Sequence, residues 1–318
     1  MTGIMNISSV ATHQIGLVFG KFYPLHCGHI YLIEKAASQV DELHILLGCE
    51  QNRDLKLFQD SHMPRQPGVE DRFLWLQKTF KNRHNVHTHV LDEAGIASYP
   101  NGWQDWSDRV KSILDKHHVV PSVIFTSEPQ DVEHYKHYFQ TAVKLIDADR
   151  DFVNISATKI RQQPYDNWHF IAQKARPFFI KRIAIIGRSE FSKVPKQLAN
   201  IYNTEYVGNG YVNYINCSYQ DNANLVFNKS DYISMAKLHA ERLHAASLSA
   251  NRVLFTSLDF RTLHHYYQTA FQSSNTILQE LEENYPFDLI INETDFDDCD
   301  SALSVVEEIL KMVEKQLH

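Results

Sequence analysis

Nowhere does the 318-residue chain hold the ~18 uninterrupted apolar residues that a membrane-spanning helix needs, which excludes an integral helical membrane protein. Cysteine is scarce. The four present, Cys27, Cys49, Cys217 and Cys299, lie far apart with no C-x-x-C pair, so neither a zinc knuckle nor a disulfide framework is expected, and a reducing cytoplasm is the expected compartment. Met1 to Gln14 lack a basic segment followed by an apolar one, so residues 1–14 read as a flexible leader and not as a signal peptide. An excess of positive charge is missing too. Lys plus Arg number 31 against 38 Asp plus Glu, and the net charge of -7 is the wrong sign for coating nucleic acid through an overall field, leaving room only for a local basic pocket. There is no repeat of fixed period and no low-complexity tract; Asp297, Asp298 and Asp300 read as a solvated acidic turn.

What is present is globular in character: 43% hydrophobic and 22% charged residues. At ~150 residues per domain the length suggests two domains, each able to bury its own core. Histidine is abundant, 18 residues, but most stand on polar stretches (His84, His87, His89, His117, His118) and read as ordinary surface residues.

Short apolar runs alternate with segments of helical period. Ile15 to Phe19 reads as a strand, Gly28 to Gln39 as a helix and Leu43 to Leu47 as a strand; helices follow near 70–81, 103–116 and 132–139, and strands near 86–91, 122–125 and 142–146. This grammar predicts a Rossmann-like parallel sheet covered on both faces, with chemistry in the loops after Phe19, Leu47 and Phe125. Around 163–179 the pattern lapses between Pro164 and Pro177. A second α/β series then opens with Arg182 to Ile186 and continues with helices near 193–202, 232–247 and 301–315 and strands at 252–255 and 288–291. The expected domains are 15–170 and 171–318.

The strongest signal is Gly20-Lys21-Phe22-Tyr23-Pro24-Leu25-His26-Cys27-Gly28-His29, leading from the first strand into the first helix. Gly20 permits a tight turn, Gly28 a close backbone approach, and His26 and His29 are three apart on one helical turn. The helix amides add donors and partial positive charge, so a polyphosphate receptor is expected. The order G-[KRT]-F-x-P-x-H-x-G-H resembles the signature of the nucleotidyltransferase superfamily. A second superfamily element, I-S-x-T-x-I-R, is matched by Ile155 to Arg161, where Ser156 and Thr158 offer hydroxyls and Arg161 a bidentate fork.

A closer resemblance runs from about Gln14 to Asp288. It rests on Phe19 to His26, Gln39 to Ile45, Tyr99 to Trp103, Thr126 to Gln130, Ile155 to Arg161 and Pro177 to Phe179, and it is to the NadR-type family that joins nicotinamide-nucleotide adenylyltransferase to ribosylnicotinamide kinase. The resemblance implies attack of the nicotinamide mononucleotide phosphate on the α-phosphorus of ATP, giving NAD and pyrophosphate, with Mg²⁺ on the triphosphate. Lys21, His26, His29 and Arg161 would then position and neutralise growing charge. Gly20, Phe22, Gly28, Ser127, Glu128, Ser156 and Thr158 would hold ATP, and Asn101 with Trp103 or Trp106 the nicotinamide nucleotide, where the alternative reading makes both indoles helix core.

The second domain departs from the family. Gly187-Arg188-Ser189-Glu190-Phe191-Ser192-Lys193-Val194 stands where a P-loop belongs, but Ser192 replaces a glycine and Val194 the metal-binding hydroxyl, leaving Gly187 and Lys193. Ser257 replaces the first carboxylate of the family's Phe-Ile-Asp-Thr-Asp-Phe, the 209–212 stretch lacks Glu-Tyr-Gly-Arg, and only 27 residues follow Ile291, too few for the family's arginine-bearing lid. A domain that has lost kinase activity is expected; the alternatives are a divergent kinase using Lys193 and Asp259, a non-catalytic NAD or nucleotide sensor, and a transferase acting on another phosphate acceptor. A DNA-binding module is not expected in the short leader, and the sequence leaves homo-oligomerisation open.

Overall fold

The computed structural model describes residues 13–188, 191–209, 227–296 and 302–317. Most of the leader, Ser189 and Glu190, Gly210 to Val212, Cys217 and Cys299, and the acidic Asp297, Asp298 and Asp300 lie outside the described residues. Among the described residues no helix is long and apolar enough to cross a membrane. Contacts divide the chain into two units, one ending at Ala175 and the other beginning at Arg176. Residues 171–172 still belong to the first unit, because Ile171 bridges to His26 and the Ala172 amide donates to the Leu25 carbonyl at 3.1 Å.

The first unit runs β1 (Ile15–Gly20), α1 (Cys27–Ala37), β2 (Glu42–Cys49), α2 (Gln51–Gln59), α3 (Val69–Phe80), β3 (Val86–Asp92), α4 (Trp103–Lys116), β4 (Val123–Thr126), α5 (Val132–Phe139), β5 (Ala142–Leu145) and α6 (Ala157–Gln162). Among the described residues its five strands are all parallel, in the order β3-β2-β1-β4-β5. Strands in the centre of such a sheet are covered on both faces, which is why β1, β2 and β4 read as nearly unbroken apolar runs. Leu17, Leu46, Val110, Leu114 and Ile124 form one core cluster between the sheet and α4. The strand order reverses between β1 and β4, so the crevice beyond their carboxyl ends is the expected ligand position.

Helix α2 has no counterpart in the sequence pattern. Its single buried residue is the charged Asp54 and Leu55 is exposed, so it has no apolar stripe to read. It starts because Glu50 caps it, accepting from the amides of Asn52 and Arg53.

The second unit contains α7 (Arg176–Phe179), β6 (Lys181–Ile186), α8 (Val194–Ile201), β7 (Tyr206–Val207), α9 (Lys229–Ser247), β8 (Val253–Thr256), α10 (Phe260–Phe271), α11 (Thr276–Asn284), β9 (Leu289–Asn292) and α12 (Ala302–Leu317). Among the described residues its four strands are parallel in the order β7-β8-β6-β9, around a core of Ile183, Ile185, Leu198, Phe255, Ile291 and Ile309. β7, α10 and α11 were not legible in the pattern. The buried stripe of α10 is Phe260, Leu263, His264 and Tyr267, half of it polar or amphipathic, and α11 buries only Leu278. Both units thus have the α/β parallel-sheet architecture expected.

Candidate active site

A cavity of about 830 Å³ opens in the first unit past the ends of β1, β2 and β4. It is lined by Gly20, Lys21, Phe22, His26, Gly28 and His29 from the first motif, by Ser156, Thr158 and Arg161 from the second, and by Asn101, Trp103, Trp106, Ser127 and Glu128. The fold therefore brings to one cavity every first-unit residue expected to hold ATP or the nicotinamide nucleotide.

The β1–α1 loop is shaped by close contacts. Phe22, not Gly20, takes the left-handed conformation, with φ of 48°. A Cβ on Gly20 would lie 2.8 Å from the Phe22 ring, so Gly20 makes room for that ring instead of turning the chain itself. His26 is the N-cap of α1, its Nδ1 accepting from the amides of Gly28 at 3.1 Å and His29 at 3.3 Å. Two amides expected to face a ligand are thereby already satisfied. Because Nδ1 accepts, the neutral ring carries its proton on Nε2, where it is a hydrogen-bond donor. The His26 and His29 rings stack at 3.6 Å between centroids.

Burial, reinforced by Arg150 and Arg161, pushes the His26 pKa down to about 3. Burial and the adjacent His26 push His29 well below the ordinary histidine value, and its Nδ1 is buried without a hydrogen-bond partner. At neutral pH both rings are uncharged, so positive charge at the cavity comes from Lys21, Arg53, Arg150 and Arg161. Lys21 lines the cavity, and desolvation by its surroundings, then Arg53, lowers its pKa, against the opposing pull of Glu93 and Asp54.

The two motifs are tied directly. Ser156 caps α6 by accepting from the Lys159 amide at 3.2 Å, and this places Arg161 so that Nη1 donates to the Tyr23 carbonyl at 2.8 Å and Nη2 to Thr158 Oγ1 at 3.0 Å. The fork expected to face phosphate thus holds the cradle loop.

Sequence reasoning missed a second anchor. Arg72 on α3 is 1% exposed; its guanidinium donates to the carbonyls of Lys21 (2.9 Å), Gly48 (3.3 Å) and Gly68 (3.2 Å) and to Asp54 Oδ2 (2.6 Å). It joins the cradle loop to the end of β2 and the start of α3. Asp54 also accepts from Arg53, which pairs in turn with Glu93. Only the burial of Asp54 and Arg72 could have signalled this network, and burial is not written in a single sequence. Arg150, which lines the cavity and pairs with Glu128 at 3.2 Å, was likewise missed.

Helix α4 begins at Gly102, which has φ of 78° and packs so closely on the Ala97 carbonyl that a Cβ would come within 2.4 Å of it. Trp103 stacks on His134 at 4.3 Å and its Nε1 is buried without a partner. Trp106 packs edge-on against Phe19 at 4.8 Å and donates to Glu93 Oε1 at 2.9 Å. Both indoles pack against the core cluster and both line the cavity.

In the second unit Phe191 from the β6–α8 turn and Glu293 from the end of β9 crowd Gly187 and Arg188. A Cβ on Gly187 would lie 2.2 Å from the Phe191 ring, and the Arg188 amide donates to Glu293 at 2.8 Å. Val194 is buried in the core, Lys193 is the N-cap position of α8, and Ser192 donates its amide to the Arg188 carbonyl at 3.3 Å. Ser257 accepts from Tyr206 at 3.1 Å, and the buried Asp259 caps α10 through Thr262. The Gly210 to Val212 departure lies outside the described residues.

A cytidylyltransferase-like family model matches residues 17–163. Over 284 residues the chain is 41% identical to the trifunctional NAD biosynthesis/regulator protein NadR of Salmonella typhimurium, a match covering 87% of this chain and 68% of that protein. The corresponding protein of Escherichia coli K12 is 40% identical over 283 residues with the same coverage. A crystal structure of NadR protein in complex with NAD and AMP-PNP shares the fold, with a TM-score of 0.73 at 22% identity over 96% of this chain and 89% of that one.

Proposed function

Since the chain belongs to the NadR family, we propose that its first unit transfers the adenylyl group of ATP to nicotinamide mononucleotide, releasing pyrophosphate and forming NAD. The observation that carries this reading is the single cavity lined by Lys21, His26 and His29 together with Ser156, Thr158 and Arg161, with aromatic Trp103 and Trp106 on the same wall system. The phosphate oxygen of the mononucleotide forms the new bond to the α-phosphorus as the bond to the pyrophosphate oxygen breaks. No protein nucleophile takes part. The chain contributes alignment and charge compensation: Lys21 and Arg161 supply fixed positive charge, and His26 donates through Nε2–H. Donors and cations dominate the cradle, a set suited to triphosphate oxygens and poor for a dedicated metal ion, so Mg²⁺ enters as part of the MgATP substrate.

The second unit is read as a kinase-like domain that does not phosphorylate ribosylnicotinamide. The Phe191 ring lies where the first P-loop glycine would meet phosphate, Val194 presents no hydroxyl, and Asp259 is engaged as a helix cap. One preparation assayed for NAD formation and for phosphorylation of the riboside tests both halves. Adenylyl transfer is expected, with His29→Ala slower by about 100-fold at unchanged fold; an unaltered rate refutes the cradle assignment. Riboside phosphorylation is expected to be absent, and an activity abolished by Lys193→Ala refutes the reading that this domain does not phosphorylate.

A further inference from the structure

At the starting ends of β2 and β3, away from the cavity, histidines that look scattered in the sequence come together. Glu42 and His44 are two apart on β2 and share a face, and the parallel register sets His44 beside His87 and Leu46 beside His89. The His44 ring stacks on His87 at 4.9 Å and on His89 at 5.2 Å, and His89 meets His117, the C-cap of α4, at 4.4 Å. The partial negative charge of that helix end favours a cation nearby.

One donor atom each from Glu42, His44 and His87 lie within 4.8 Å of one another. Glu42 Oε2 is 3.5 Å from His44 Nε2 and 3.8 Å from His87 Nε2. A tetrahedral ion with bonds of about 2.0–2.1 Å sets its donors about 3.3 Å apart, so small side-chain adjustments close the set. His44 is 5% exposed, and its buried Nε2 has Glu42 Oε2 beside it at 3.5 Å, at the limit of hydrogen-bond reach. Its other nitrogen, Nδ1, lies 2.9 Å from His89 Nε2; a proton on Nδ1 donated to His89 leaves a lone pair on His44 Nε2, the outer-shell arrangement typical of metal-bound histidine.

We propose that Glu42, His44 and His87 bind a borderline divalent transition-metal cation, with Zn²⁺ as the probe. Two imidazoles and a carboxylate select such an ion over Mg²⁺ or Ca²⁺. His13, whose Nε2 is 3.1 Å from Glu42 Oε1, stands within reach as a fourth donor. The ion would join β2, the edge strand β3 and the segment entering β1.

The test uses the full chain freed of any affinity tag and stripped with EDTA. Calorimetric titration with Zn²⁺ is expected to show one stoichiometric site, which His87→Ala and Glu42→Gln each weaken by about 100-fold. These side chains are 43% and 39% exposed, so neither change opens a buried cavity, and both variants should melt with the wild type in EDTA. Zn²⁺ should raise the melting temperature of the wild type by about 5 °C and of neither variant. In crystals soaked with Zn²⁺ the anomalous peak should fall between Glu42, His44 and His87. Absence of stoichiometric binding, affinity unchanged in both variants, or a peak only at His26 and His29 overturns the proposal.

Discussion

Arg72→Met removes a buried guanidinium that bonds three carbonyls and Asp54, while keeping most of the side-chain volume. Breaking one side of a buried ion pair costs about 3–5 kcal/mol, because the remaining charge keeps its desolvation penalty without its partner. Asp54 retains Arg53, which places the expected loss near the lower figure and the fall in melting temperature near 10 °C. Removing the stranded carboxylate as well should recover part of that loss, so the Arg72→Met/Asp54→Leu double variant should be more stable than the sum of the single effects by at least about 1 kcal/mol. Urea denaturation followed by circular dichroism gives the four stabilities. The Lys21 carbonyl loses its anchor in Arg72→Met, so kcat/KM for adenylyl transfer should also drop about tenfold, equivalent to about 1.4 kcal/mol. Strict additivity of the two substitutions, together with unchanged kinetics, would refute the claim that this buried pair holds the cradle.

Acid should weaken the fold through the stacked histidines. The folded His26 has a pKa of about 3 and His29 is lowered as well, whereas unfolded histidine titrates near ~6.5, so the unfolded chain binds more protons between those values. Their contribution is complete above ~6.5 and is lost as pH falls towards 3, at up to about 1.4 kcal/mol per pH unit per ring; His26→Ala should flatten the fall in urea midpoint between pH 7 and 5, and an identical slope in the variant would contradict the assignment. Asp259→Ala should lower the stability of the second unit by about 1 kcal/mol through loss of the α10 cap and leave adenylyl transfer at the wild-type rate; a large catalytic loss would show that Asp259 does more than cap a helix.

The alternation of apolar runs with helical period was sufficient to read the central strands and their covering helices, since a strand buried on both faces must be apolar throughout and a covering helix must carry a stripe. Where that pressure is absent the pattern is silent: α2 buries only Asp54, and half the buried stripe of α10 is His264 and Tyr267. The two motifs were legible for a related reason, as their histidines, hydroxyls and arginine are closely spaced and each belongs to one short turn.

By itself the sequence determined the kind of chemistry, because residue type decides what can donate, accept or carry charge: Lys21, His26 and His29 in one segment, Ser156, Thr158 and Arg161 in another. Only the tertiary structure decided how those groups are used. Through-space contacts make His26 a neutral cap and donor, turn Arg161 onto the Tyr23 carbonyl, bury Arg72 beneath the cradle and gather His44 with His87 across two strands. Burial and proximity between distant residues set protonation and partnership, and both arise from folding in three dimensions.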